Sequence, residues 1–200
     1  MKTQNTLKMT ITGLLIALGV VIPMYSPVRI MLPPASFTLA SHAVIFVAMF
    51  ISPKVALAVA AGTTLGFLLG GFPMIIVLRA ATHIVFAYYG ALYLHSLSNR
   101  LSLVNLRIFS FAVGLLHGLC EVIVVSIFFF GGNISSAHLE QGFFVSIFML
   151  IGVGTVIHSM IDFEIAQLIL LPLRKQKDLS KYVFSYYTER DNEPKKTKWI

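Results

Sequence analysis

The sequence predicts an all-α integral membrane protein: six transmembrane helices in a compact bundle, with both termini in the cytoplasm. Three observations carry this. Of its 200 residues, 57% are hydrophobic and 12% charged, with a mean hydropathy of +0.85, far from the make-up of an ordinary soluble domain. The apolar residues gather into six runs separated by Pro, Gly, Ser or charged breaks. Basic residues concentrate in alternate breaks. Lys2 and Lys8, Lys54, Arg100 and Arg107, and eight bases after residue 173 fall on one side, against Arg29 alone on the other, which the positive-inside rule assigns to the cytoplasm.

The first run, about 9–25, ends where Pro23 and Pro27 fix φ and remove N–H donors. Lys2 and Lys8 ahead of it resemble the start of a signal peptide, but no small-residue cleavage site follows, so it is expected as a retained helix. A Pro-rich loop, 26–40, holds Arg29, Pro33, Pro34 and Phe37, and is long enough to serve as a lid. The second run, about 39–51, is short for a bilayer of roughly 30 Å and needs burial against neighbours. After Ser52-Pro53-Lys54, the third run (55–71) carries Gly62, Gly66 and Gly70 at intervals of four, a close-packing face. The fourth spans about 74–94, the fifth 108–130 and the sixth 142–172. Gly131-Gly132-Asn133 breaks the chain between the last two. Residues 1–172 thus form the membrane domain, and 173–200 a basic cytoplasmic tail.

Several function classes lose support. Cys120 is the single cysteine, so there is no disulfide framework. The basic tail flanks a span, where it reads as a membrane anchor and not as a nucleic-acid surface. No phosphate-binding Gly-rich loop ending in Lys-Ser/Thr is present, so any ATP must be hydrolysed by other subunits. No His-Glu-x-x-His or comparable spacing marks a catalytic metal, and no organised nucleophile is visible. The chain is expected to be a non-enzyme that binds no cofactor or metal.

Within the apolar runs, three pairs of polar residues stand four apart and so share a helix face: Arg79 with His83, His117 with Glu121, and His158 with Asp162. Intramembrane charges turn inward toward partners or a cavity. The orientation places Arg79, His83 and Glu121 at comparable depths, where they can meet. The guanidinium fork suits a carboxylate, either that of an anionic ligand or that of Glu121. His158 is expected near mid-membrane, with Asp162 and Glu164 nearer the cytoplasm and below the site. His42, just after the Pro-rich loop, is a further pocket candidate.

On these residues the chain resembles the substrate-binding S components of energy-coupling factor (ECF) vitamin importers, six-helix proteins with an outward pocket capped by loops. The likeness covers about 8–172. The family's small-residue motif on the first helix is matched by Gly13-x-x-x-Ala17. Pro34-Ala35-Ser36-Phe37-Thr38-Leu39-Ala40-Ser41-His42 and Ile51-Ser52-Pro53 are similar to the niacin-type members. The resemblance implies capture of a small vitamin outside, docking to a coupling transmembrane protein served by two ATPase subunits, and release inside, in a bacterial plasma membrane. It implies a substrate site from Arg79, His83, Glu121, His117, His42, Phe37, Arg29 and Asn133, and a docking face from Gly13, Ala17, Gly62 and Gly66. Nicotinate would offer its carboxylate to Arg79 or Arg29, its ring to Phe37, Phe86 or Tyr88, and its nitrogen to His83 or Glu121. Pantothenate would also satisfy the arginine; a hydroxymethylpyrimidine would rely on Glu121. The alternatives are a stand-alone proton-coupled carrier relaying along His83, His117, Glu121, His158 and Asp162, and an intramembrane metal-dependent hydrolase.

Overall fold

The computed structural model describes residues 2–32, 35–97, 102–132 and 142–173. Asn133, Arg100, Pro33, Pro34 and the basic tail lie outside the described residues. Six α-helices are described: α1 (Lys2–Tyr25), α2 (Ala43–Ile51), α3 (Pro53–Leu69), α4 (Met74–Ser96), α5 (Leu103–Phe130) and α6 (Gly154–Leu173). Four segments are long and apolar enough to cross a membrane: Asn5–Tyr25, Met74–Ser96, Leu103–Phe130 and Phe144–Leu173.

Helix starts follow local chemistry. The Ser52 hydroxyl accepts from the Val55 N–H with Pro53 at the first helical position, a position that needs no N–H donor. Ser102 accepts from the Asn105 N–H in the same way. This cap starts α5 at Leu103, earlier than the expected 108, and puts Arg107 inside the helix.

The expected Pro-rich lid is a β-hairpin. Strands β1 (Arg29–Leu32) and β2 (Ala35–Thr38) pair antiparallel, Arg29 opposite Thr38 and Leu32 opposite Ala35. After β2 the backbone reverses at Ala40, whose φ of 66° is left-handed and unfavourable for a residue with a Cβ. That reversal delays α2 to Ala43. All nine of its residues are buried, so this short apolar helix is the axis of the bundle and not a lipid-facing span. Phe46 and Phe50 of α2 meet Phe163 of α6, and Phe46 also meets Phe86 of α4.

Small residues set the helix pairings. A Cβ on Gly62 would lie 2.6 Å from Ile16, and one on Gly66 would lie 2.3 Å from Val20, so α1 and α3 run parallel in close contact. Gly62 and Gly66, expected on a partner-docking face, are therefore consumed by packing within the chain. Gly13 has open space around it, and it lies with Ala17 on the exposed side of α1. Where α5 packs antiparallel on the sixth run, Gly118 approaches the Gly152 carbonyl just ahead of α6 and Gly114 that of Val156 within it; Arg107 and Glu164 pair farther along. The sixth run begins as a π-helix, Phe144–Val153, and continues directly into α6.

Candidate functional site

A cavity of about 130 Å³ lies between the hairpin and the helices, lined by residues of β1, β2, α3, α4, α5 and α6 and by Pro23 of α1. An apolar cavity of roughly 150 Å³ holds benzene, so this one is scaled to a single six-membered ring. Its walls include Phe37, Phe67, Phe72 and Ile76, with Arg79, His42, His83, Glu121, His158, Thr63 and Thr155 as polar groups. A few converging polar groups in an apolar wall are what a small-molecule site requires.

The antiparallel alignment of α4 with α5 sets the first cluster. Arg79 donates to Glu121 Oε2 from Nε at 2.8 Å and from Nη2 at 2.6 Å. Four residues along each helix, His83 and His117 lie with ring centroids 5.0 Å apart. The other carboxylate oxygen, Oε1, is 3.5 Å from His117 Nε2 and 3.8 Å from His83 Nε2. Glu121 is 3% exposed; its charge is tolerable there because Arg79 offsets it. The guanidinium has five N–H donors, of which Glu121 takes two.

Asp162 builds the second cluster. Its Oδ1 accepts from the Ala40 N–H at 2.8 Å, and Oδ2 from the His42 N–H at 2.8 Å. The His42 Nδ1 lies 3.1 Å and the Ser41 hydroxyl 3.4 Å from Oδ2. A carboxylate thus caps the start of α2, where free N–H groups and the helix dipole favour negative charge. Ser41 Oγ also lies 3.1 Å from His158 Nε2. The expectation that His158 and Asp162 lie below the site is corrected: His158 lines the cavity, and Asp162 holds the segment that brings His42 into it. The physical reason is the hairpin, which carries the start of α2 inward to the level of Asp162.

Over 166 residues the chain is 39% identical to the niacin transporter NiaX of Lactococcus lactis subsp. cremoris, an alignment covering 82% of this chain and 73% of that protein. The chain belongs to the NiaX family of niacin transporters. The niacin-type resemblance seen in residues 34–42 and 51–53 is borne out at this level, and the relative is named as a transporter, not as an enzyme. No family model matches the chain, and no solved structure does.

In this NiaX-family cavity Arg79, His83, Glu121, His42 and Phe37 come together, while His117 does not line it and lies fully buried against His42 and His83. Arg29 stands at the exposed side, with Nε donating to Thr38 Oγ1 at 3.1 Å and Nη2 to the Pro23 carbonyl. Phe37 leans on His158, centroids 5.4 Å apart, in space left by Gly154, where a Cβ would lie 2.6 Å from the Phe37 ring. Phe86 is a buried core ring that touches His42, His83 and His117 from behind. Tyr88 pairs with Tyr89 and does not line the cavity. Sequence reasoning missed Thr63, Ser41 and Thr155. The Thr63 hydroxyl is buried without a hydrogen-bond partner among the described residues; its place on the glycine-rich face of α3 was the only available signal.

Proposed function

We propose that this chain is the vitamin-capturing S component of an ECF importer in a bacterial plasma membrane, and that its ligand is nicotinate. The observation that carries this is an arginine facing a one-ring cavity in a chain 39% identical to a niacin transporter. The carboxylate meets the remaining donors of Arg79, the ring lies against Phe37 and Phe67, and Thr63 and the histidines offer polar contacts. A ring this size fits about 130 Å³, which favours nicotinate over the longer, branched pantothenate.

In this proposal all six helices belong to the membrane domain, α2 as a buried element, with both termini in the cytoplasm and the hairpin facing outward. The exposed Gly13-x-x-x-Ala17 face of α1 docks a coupling transmembrane protein, and two ATPase subunits hydrolyse ATP. A surface without ion pairs parts without stranding a charge. The proton-carrier alternative loses Asp162, whose carboxylate is occupied as a helix cap.

The test is equilibrium dialysis of labelled nicotinate with the purified chain in detergent, with pantothenate and a pyrimidine as competitors. Tight binding that nicotinate alone displaces, and that Arg79→Ala abolishes in folded protein, is the expected result. Displacement by pantothenate at equal concentration would overturn the assignment of the vitamin.

A further inference from the structure

His42 and His83 on the cavity wall and His117 behind them each present a ring nitrogen within 4.8 Å of the others, and all three residues are buried. The N-cap of α2 and helices α4 and α5 each contribute one imidazole, with rings edge-on to one another at centroid separations of 4.6, 4.7 and 5.0 Å. His83 Nε2 and both ring nitrogens of His117 are buried without a hydrogen bond among the described residues. Orphaned polar atoms of this kind are costly, and one ion would take up a nitrogen from each ring.

We propose that His42, His83 and His117 hold a divalent transition-metal ion of the zinc class, and that nicotinate completes its coordination. This rests on the vitamin assignment above. Three imidazoles with an open fourth position are a known donor set for zinc. Zinc–nitrogen bonds of about 2.0–2.1 Å require tetrahedral nitrogens about 3.3 Å apart, which rotation of the His83 and His117 rings, held only by long contacts of 3.8 and 3.5 Å to Glu121, would supply. His42 already has the orienting partner such ligands use, since Asp162 lies 3.1 Å from its Nδ1 and leaves Nε2 to face a metal. The overlapping set His42, His158 and Asp162 is the weaker one, because both Asp162 oxygens are taken by the backbone N–H groups of residues 40 and 42.

Charge balance points the same way. The buried groups around the cavity are one arginine and two carboxylates, one net negative charge, and an anionic vitamin would double it in a region where uncompensated charge is expensive. A divalent ion together with nicotinate brings the buried set to neutrality. Arg29, at the exposed side and bonded to Pro23 and Thr38, is too solvated to do this. This proposal departs from the expectation of a chain free of metal.

The full-length chain, purified in detergent and stripped with a chelator, is dialysed against zinc and its metal content measured; cobalt substitution reads the geometry through its visible spectrum. The expected stoichiometry is about one zinc per chain, retained in His95→Gln, whose histidine lies outside the cavity, and lost in both His83→Gln and His117→Gln with circular dichroism unchanged. If either cavity variant fails to fold, the other and the cobalt spectrum decide. Zinc loading is expected to tighten nicotinate binding on the order of 100-fold, the scale of an uncompensated buried charge. Nicotinate binding to folded protein that takes up no zinc overturns the metal site and leaves the vitamin assignment standing. Equal affinity with and without bound zinc overturns the role of the metal in anchoring the vitamin. Failure of nicotinate to bind in either state removes the vitamin assignment and this inference with it.

Discussion

Replacing Asp162 by Ala tests the scaffold of the cavity most directly. The substitution strips acceptors from the N–H groups of Ala40 and His42 and the partner of His42 Nδ1, in a place where the Asp162 side chain is fully buried. If each of the two backbone donors is left unsatisfied at about 1–3 kcal/mol, the loss is about 2–6 kcal/mol. Hydrogen bonds in membrane proteins average nearer 0.6 kcal/mol, and at that rate the four contacts still sum to about 2 kcal/mol. For a chain of this length 1 kcal/mol shifts the midpoint by about 2–4 °C, so thermal unfolding in detergent should fall by about 4 °C or more. Ala40, held at a φ of 66°, would relax, His42 would turn away, and nicotinate affinity should fall in parallel. Asp162→Asn keeps one acceptor oxygen and should lie between the two. A midpoint within about 1 °C of wild type, with unchanged nicotinate affinity, would refute the cap.

Three further outcomes are expected. Gly66→Ala drives a Cβ to within 2.3 Å of the stiff Val20 side chain; it should destabilise by about 1–3 kcal/mol in thermal unfolding, and Val20→Ala in the same chain should restore most of the loss. Arg79→Ala leaves Glu121 buried and unpaired, a loss of about 3–5 kcal/mol, whereas Arg79→Ala with Glu121→Ala should recover stability without recovering nicotinate binding, as melting and dialysis together would read. Gly13→Leu fills open space on α1, so the purified chain should bind nicotinate normally, while uptake by cells supplying the coupling subunits should drop at least about tenfold if that face docks them.

Much of the Arg79, His83, His117 and Glu121 cluster was legible in the sequence. A spacing of four fixes each pair on one face, and alternating loop charge makes α4 and α5 antiparallel, which is enough to bring 79 opposite 121 and 83 opposite 117. The link from Asp162 to residues 40–42 was not legible, because it joins positions more than 115 apart in the chain and depends on how deep α2 begins. That depth is set by a hairpin of two four-residue strands, too short for an alternating pattern to be distinguished from a Pro-rich loop. The glycines of α3 show a different limit. Small residues at intervals of four look the same whether they receive a partner protein or a neighbouring helix, and only Ile16 and Val20 beside Gly62 and Gly66 decide it for the neighbour.

The central position of α2 has a consequence for how the protein is made. Nine apolar residues are too few to halt in a bilayer by themselves, and their N-terminal hydrogen-bond acceptor belongs to a helix synthesised about 120 residues later. During biogenesis, α2 must therefore wait beside α1 and α3, with the N–H groups of residues 40 and 42 just ahead of it unmet, until α6 has entered the membrane. The cavity is thus a late product of assembly, completed only when α6 closes on α2. A chain truncated before Asp162 would insert its earlier spans and still lack a site.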